Sequence, residues 1–416
     1  MAAERLTVSS LKRAFGPGVL LAGAAIGGSH LVASTQAGAR YGLGLVGLVL
    51  LANLLKYPFL LVGSRFTAVS GRSLLEGYER QRSWYLPLFL LVTFATGVAN
   101  IAAVTSLAGS LATSLLPGSA TGLSLGLLGL CLLVLLLGHY RSLDRISKLV
   151  VLLLTLSTIA ATAAALRQPP LGGGDLFSPS PWTLTSLPFL VALMGWMPCP
   201  LDLAAWSSLW IEARERDVGQ RNSPAAVEAD FNLGYGATVL MALLFLLLGA
   251  WVMHGGEGFS PNGAAFAQQL IRLYTSSLGG WAYPLIAAAA FTTMASTSLT
   301  CLDGYPRSAA AGVRVLRGFR GQAVQDRREH QLWMLLHVLL AGAVIAAWPG
   351  SMGALVQLAM LVSFLTTPLL AWMNLNVIQS RQVEPADRLA PPLLLLARTS
   401  LVLLSAFVLL FVLSLG

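Results

Sequence analysis

Apolar stretches of about 20 residues recur along the whole of this chain, with no long polar domain between them. One stretch of that length crosses the roughly 30 Å hydrocarbon core of a bilayer as a helix. Hydrophobic residues make up 56% of the 416 residues and charged residues only 10%, against roughly 25% charged in a soluble domain. So few charges cannot cover a surface that faces water. The sequence therefore predicts an all-α membrane protein in which residues 1–416 form a single transmembrane domain.

The predicted spans number eleven: 15–41, 44–67, 85–114, 121–139, 146–166, 183–210, 233–254, 281–303, 331–348, 352–378 and 393–414. Basic residues cluster in alternate loops, most densely between Arg307 and Arg328. The positive-inside rule then places the N-terminus in the cytoplasm, and an odd number of spans leaves the C-terminus outside. The net charge of +9 is thus explained by topology in a bacterial inner or plasma membrane and not by nucleic acid.

Helix-breaking clusters interrupt two of these spans at mid-membrane depth. They comprise Gly27, Gly28, Ser29 and His30 in the first span, and Met197, Pro198, Cys199 and Pro200 in the sixth. Irregular backbone survives at that depth only where other protein or a water-filled cavity satisfies its polar groups. A paired interruption of this kind indicates the binding site of a secondary transporter.

The two interruptions occupy corresponding places in two halves of the chain. The first repeat covers about 15–166, the second about 183–378, and an extra helix follows at about 393–414. Each half contains five spans, so the second enters the membrane from the opposite side. This is the condition for an inverted repeat whose first and sixth helices are discontinuous around a midplane site.

Several motifs carry a family resemblance. They are Gly16-Pro17-Gly18, the heptapeptide 36–42, Leu51-Ala52-Asn53-Leu54-Leu55, the hexapeptide 140–145 and Met197-Pro198. In these motifs, and along most of its length, the chain resembles the Nramp family of metal-ion transporters. The resemblance implies a LeuT-like fold of eleven helices. It also implies that a divalent metal ion of the manganese or iron class, or magnesium, is the transported substrate, with no cofactor.

The chain departs from that family at its functional motifs. The family's Asp-Pro-Gly-Asn motif falls on Gly27–His30, so the metal-binding aspartate is absent, and the Met-Pro-His motif falls on Met197–Cys199, with cysteine in place of histidine. The acidic residues that handle protons in the third span fall near Ala102 and Thr105. This chain therefore resembles a divergent member, and coupling to protons is expected to be weak or absent.

The predicted ligands of the ion are the freed backbone near Gly27 and the side chains of His30, Met197 and Cys199. Imidazole and sulfur suit Mn²⁺, Fe²⁺, Zn²⁺ or Ni²⁺ better than Mg²⁺. Each side chain also has a structural alternative. His30 would cap the broken helix or bond a serine, Cys199 would be a small buried hydrophobe, and Met197 would fill the core.

Three charged residues are predicted at membrane depth: Asp202, Asp303 and, in the second span, Lys56. Charges at that depth are expensive and are functional candidates by default, here for an ion pathway or for coupling. The structural alternative is an ion pair in which Lys56 serves as the partner.

Two other functions stay open at this point. The amides of Gly27, Gly28 and Ser29 beside a half-helix N-terminus form a cradle for a carboxylate, as in LeuT-like carriers of amino acids or other small organic solutes. A membrane sensor that kept the fold without transporting is the third possibility. The chain has no zinc-protease motif, nucleophile elbow or phosphate-binding loop, so it is not expected to be an enzyme.

Overall fold

The computed structural model describes residues 16–138, 140–170, 175–255, 259–260, 262–321 and 326–414. This part of the chain is built of helices. They are α1 (Pro17–Ala25), a π-helix (Ser29–Ser34), α2 (Thr35–Tyr41), α3 (Val46–Ser70), α4 (Leu74–Gln81), α5 (Tyr85–Ala112), α6 (Ala120–Leu137), α7 (Tyr140–Ala165), α8 (Leu187–Trp196), α9 (Leu203–Val218), α10 (Pro224–Val252), α11 (Gly263–Leu278), α12 (Tyr283–Leu316), α13 (Arg327–Ala347), α14 (Met352–Leu365), α15 (Thr367–Ile378) and α16 (Pro391–Leu413).

Each of the eleven predicted spans is present as a helix or a pair of helices. Within the described ranges, eight helices are long and apolar enough to cross a bilayer, and the bent pair α1 and α2 makes nine. The fifth span is α7, and the sixth is the broken pair α8 and α9. The eighth span continues beyond its predicted end at 303 to Leu316, where Asp303 and Arg307, one helical turn apart, balance each other's charge within the helix.

Packing between helices repeats in the two halves. The third span, α5, packs on the fourth, α6, as the eighth span, α12, packs on the ninth, α13. The second span, α3, lies along α9 of the broken sixth span, and the seventh, α10, lies along α1 and α2 of the broken first. The helices α5 and α12 pack against each other at the centre. These corresponding contacts are those expected of an inverted repeat.

Glycines allow the backbones of the broken helices to touch their neighbours. A β-carbon at Gly38 would stand 2.0 Å from the carbonyl oxygen of Leu246, which joins α2 to α10. In the other half, a β-carbon at Gly63 would stand 1.9 Å from the carbonyl oxygen of Ala204, which joins α3 to α9. Small residues at such crossings permit the close packing that stabilises helices in a membrane. The segments that flank the two breaks are therefore held against neighbouring spans.

Candidate functional site

The first span breaks after Ala25, and its two parts are bent by 46°. The break satisfies its own backbone. The amide of Gly27 donates to the carbonyl of Ala25 at 2.9 Å, and the carbonyl of Gly27 accepts from the amides of His30 at 3.1 Å and Leu31 at 2.9 Å. The predicted backbone ligand, Gly27, thus has its carbonyl oxygen engaged by two local amides.

His30 is fully buried and points toward α10. Its Nε2 lies 2.9 Å from the carbonyl oxygen of Thr238, and its Nδ1 lies 2.7 Å from Oγ of Ser29 and 3.0 Å from the carbonyl oxygen of Ala25. A neutral imidazole protonated at Nε2 donates to Thr238, and the single proton of the Ser29 hydroxyl then goes either to Nδ1 or to the carbonyl oxygen of Ala25, which lies 2.6 Å from Oγ. In this structure the imidazole of His30 links the break in the first span to α10. This arrangement corresponds to the structural alternative, in which His30 bonds a serine and is not a metal ligand.

The sixth span breaks between Trp196 and Leu203, and its carbonyls are held by Lys56. The ammonium group of Lys56, fully buried on α3, donates to the carbonyl oxygens of Gly195 at 2.6 Å and Cys199 at 3.1 Å. Proline at Pro198 removes one backbone donor at this point. Without Lys56 these carbonyls would lack a partner at mid-membrane depth.

Asp202 is the N-cap residue of α9. Its Oδ2 accepts a hydrogen bond from Oγ1 of Thr96 at 3.0 Å, and the hydroxyl of Tyr305 also interacts with the carboxylate. Its carboxylate and the Lys56 ammonium attract each other electrostatically. Asp202, one of the charged residues predicted at membrane depth, therefore lies at the break of the sixth span, where the charge of Lys56 balances it.

The two breaks meet, as the sequence predicts. A β-carbon at Gly28 would stand 2.5 Å from Cζ3 of Trp196, so the backbone of the first break touches the indole at the end of α8. Nε1 of the same indole donates to Oδ1 of Asn100 on α5 at 2.8 Å. A β-carbon at Gly27 would stand 2.7 Å from Oγ1 of Thr297 on α12. Four spans thus converge on one point.

A cavity of about 30 Å³ lies at this meeting point. The residues that line it are Ala24, Ala25, Gly28, Ser29, Asn100, Val104, Trp196, Pro198, Cys199, Pro200, Leu203, Trp206, Thr297, Cys301 and Tyr305. One water needs roughly 10–15 Å³ measured this way, so the cavity holds a few water molecules or one small ion. Of the predicted helix-break residues, Gly28, Ser29, Pro198 and Pro200 all line it.

Sequence analysis missed the contribution of α12. Thr297, Cys301 and Tyr305 are spaced four residues apart, so they share one face of that helix, and all three line the cavity. The signal available in the sequence was this regular spacing of polar side chains within an apolar span.

Met197 and Asp303 lie outside the residues that line this cavity. Met197 is fully buried. Asp303 accepts two hydrogen bonds from Arg307, at 2.7 and 3.0 Å, and its carbonyl oxygen lies 3.1 Å from Nε2 of His330. Lys56 is therefore not the ion-pair partner of Asp303. The physical reason is that Arg307 lies one turn along the same helix and reaches the carboxylate with a planar, two-pronged group.

Carboxylates do not line the cavity itself. Within the described ranges, no group of three or more His, Cys, Asp or Glu residues is arranged to hold a metal ion. The donors that face the cavity are sulfur, hydroxyl and amide groups: Ser29, Asn100, Cys199, Thr297, Cys301 and Tyr305. An ion in this position would therefore draw negative charge from an ionised thiol, or from Asp202 just beyond the wall.

Comparison with known proteins gives two kinds of match. The family model described as Nramp, natural resistance-associated macrophage protein-like, matches residues 18–414. A protein of Pasteurella multocida (strain Pm70), described as uncharacterized protein PM0681, is 39% identical over 416 residues, covering 98% of this chain and 94% of its own length. This relative and the family model cover nearly the whole sequence.

Solved structures with the same architecture include a variant of a manganese transporter of Eremococcus coleocola. It matches at 16% identity with a TM-score of 0.74, covering 98% of this chain and 88% of the other. MhsT in complex with L-phenylalanine matches at 14% identity with a TM-score of 0.59, covering 95% of this chain and 98% of the other. At such identities the likeness shows the fold, and the predicted LeuT-like architecture is confirmed.

Proposed function

This chain is a multi-pass integral membrane protein of the Nramp family, and from that premise we propose that it is a secondary transporter of a divalent metal cation. Transport would proceed by alternating access, with the ion bound at the point where the two broken helices meet. The manganese transporter of Eremococcus coleocola, whose fold this chain shares, supports a metal ion as the substrate class.

The observation that carries the proposal is the cavity between the two breaks. Its volume of about 30 Å³ suits an ion. Its donors include the cysteines Cys199 and Cys301 together with hydroxyl and amide oxygens. Sulfur donors favour Zn²⁺ or Fe²⁺ over Mg²⁺, whereas hydroxyl and carbonyl oxygens also suit Mn²⁺. A thiol must lose its proton to bind a metal, so binding would release protons and supply the negative charge that the lining lacks.

Transport with little or no obligatory proton flow is part of the proposal. Ala102 and Thr105 stand where the family's acidic proton-handling residues fall, and both are fully buried on α5. Neither side chain can take up and release a proton at the pH of a cell. Asp303, held by Arg307, is proposed as a structural residue.

A second candidate substrate is a small organic solute. The indoles of Trp196 and Trp206 form apolar walls, and Gly28 and Ser29 of the predicted cradle lie beside them. The fold of MhsT, solved with L-phenylalanine, accommodates such a ligand. A cavity of about 30 Å³ is too small for an amino acid, however, which favours the ion.

Calorimetric titration of the purified protein with Mn²⁺ and with amino acids would test the choice. We expect saturable binding of Mn²⁺, with a heat that changes between buffers of different ionisation enthalpy because protons are released. Flux of the same ion into proteoliposomes is the second measurement. Binding of an amino acid without Mn²⁺ binding would favour the organic solute, and binding without flux would favour a membrane sensor.

A further inference from the structure

The break in the sixth helix carries a positive charge that belongs to the chain itself. Lys56 is fully buried, and its ammonium group donates to the carbonyl oxygens of Gly195 and Cys199 at 2.6 and 3.1 Å. Gly195 lies in the last turn of α8, and Cys199 lies within the break. Two carbonyls that flank an interrupted helix are therefore joined through one ammonium.

Such a position attracts cations on general grounds. The C-terminal end of α8 is the negative end of its helix dipole. In transporters with broken helices, unwound carbonyls and half-helix C-termini hold inorganic cations. Asp202 adds a carboxylate that attracts the same ammonium. Carbonyl oxygens and a carboxylate are the ligands that a hard cation takes.

We propose that Lys56 is a tethered cation, whose ammonium fills a monovalent-cation site formed by the carbonyls of Gly195 and Cys199 with Asp202 beside them. The positive charge is thus part of the chain, whereas another carrier would bind a cation from solution at this position. Neither Lys56 nor Asp202 lines the substrate cavity, so this site lies beside that cavity and is not part of it. The inference holds whichever solute is transported.

The proposal has a specific consequence for Lys56→Ala. This change removes three methylene groups and the ammonium, so it leaves a space that matches n-propylammonium and a cation site without its cation. Stability of the variant should then rise with the concentration of n-propylammonium or Na⁺, following the relation for a ligand that binds only the folded state. Stability of the wild-type protein should not depend on either ion.

Thermal unfolding of purified protein in choline chloride, titrated with each cation at constant ionic strength, measures this effect. We expect a saturable rise in Tm for Lys56→Ala only. The neutral alcohol 1-propanol fills a similar volume without charge, so an equal rise with 1-propanol would show that packing and not charge is lost. That result would overturn the proposal.

Two further variants make the test independent of folding yield. Asn53→Ala removes a buried side chain from the same helix, whose Nδ2 bonds only the carbonyl of Val49 in α3 itself, so it should lose stability without gaining a response to cations. Lys56→Met keeps the stem of the side chain, removes the charge and leaves only the position of the ammonium open. If Lys56→Ala does not accumulate, Lys56→Met carries the test: a lower Tm than wild type, restored by Na⁺, supports the proposal, and wild-type stability without a response to Na⁺ contradicts it. Divalent-ion flux is not the readout, so failure of the proposed transport function would leave this result unaffected.

Discussion

The indole ring of Trp196 lies against the backbone of Gly28, so the two broken helices touch directly. A β-carbon at Gly28 would stand 2.5 Å from Cζ3 of the ring, closer than real β-carbons approach. The ring is held from the other side by the hydrogen bond of its Nε1 to Asn100 at 2.8 Å. It therefore has little freedom to yield, and this contact fixes one wall of the substrate cavity.

Gly28→Ala is expected to reduce transport strongly. The added methyl group displaces the indole, and overpacking of this kind costs about 1–3 kcal/mol, which would lower occupancy of the transport-competent arrangement by roughly fivefold to a hundredfold. Ion flux into proteoliposomes is the measurement. Gly23→Ala is the matched control, because a β-carbon there meets nothing within 4 Å. Parental flux in Gly28→Ala would show that the contact is dispensable.

Cys199→Ala and Cys301→Ala are expected to weaken Mn²⁺ binding by at least about tenfold each, which corresponds to about 1.4 kcal/mol. Cys199 and Cys301 both line the cavity and would ligate one ion, so their effects should be less than additive in the double variant. Calorimetric titration gives the affinities. Cys131→Ala is the control, because Cys131 is a buried cysteine on α6 that does not line the cavity. Equal affinity in all three single variants would exclude a thiol site.

His30→Ala is expected to act on stability more than on the bound ion. Its loss removes the hydrogen bonds of the imidazole to the carbonyl of Thr238 and to Ser29, each worth about 0.5–1.5 kcal/mol. Thermal unfolding measures this loss, and metal titration of the folded variant should give nearly the parental affinity. His30→Gln, which keeps a donor and an acceptor, should recover part of the stability. Loss of metal affinity at unchanged stability would instead make His30 a ligand in another conformation.

Metal uptake is expected to proceed with little accompanying proton flow. Ala102 and Thr105 cannot carry a proton, and Asp303 is held by Arg307. Proteoliposomes loaded with a pH-sensitive dye report the ratio of protons to metal ions. Asp202→Asn should leave that ratio low, whereas Asp303→Asn should lower thermal stability because it removes the buried ion pair between Asp303 and Arg307. Acidification that follows metal entry and disappears in Asp202→Asn would contradict this prediction and identify Asp202 as the coupling residue.

The sequence by itself determined the membrane architecture. Apolar length and helix-breaking residues are local properties, so eleven spans and the breaks near Gly28 and Pro198 follow from composition along the chain. The convergence of the breaks follows from the inverted repeat. Each half has five spans, so the second half enters the membrane from the opposite side and its broken helix meets that of the first half. Span ends were less accurate, as the extension of α12 to Leu316 shows.

Only the tertiary structure decided which side chains face the cavity. His30 and Cys199 lie in corresponding breaks, yet the imidazole bonds the carbonyl of Thr238 on α10 while Cys199 lines the cavity beside Cys301. The partner of Lys56 was likewise open to several choices, and the structure gives it two carbonyls at the sixth-helix break. The physical reason is that the direction of a side chain depends on how its helix is rotated about its axis and on the neighbour against which it packs. Both are set by contacts between segments that lie far apart in the sequence.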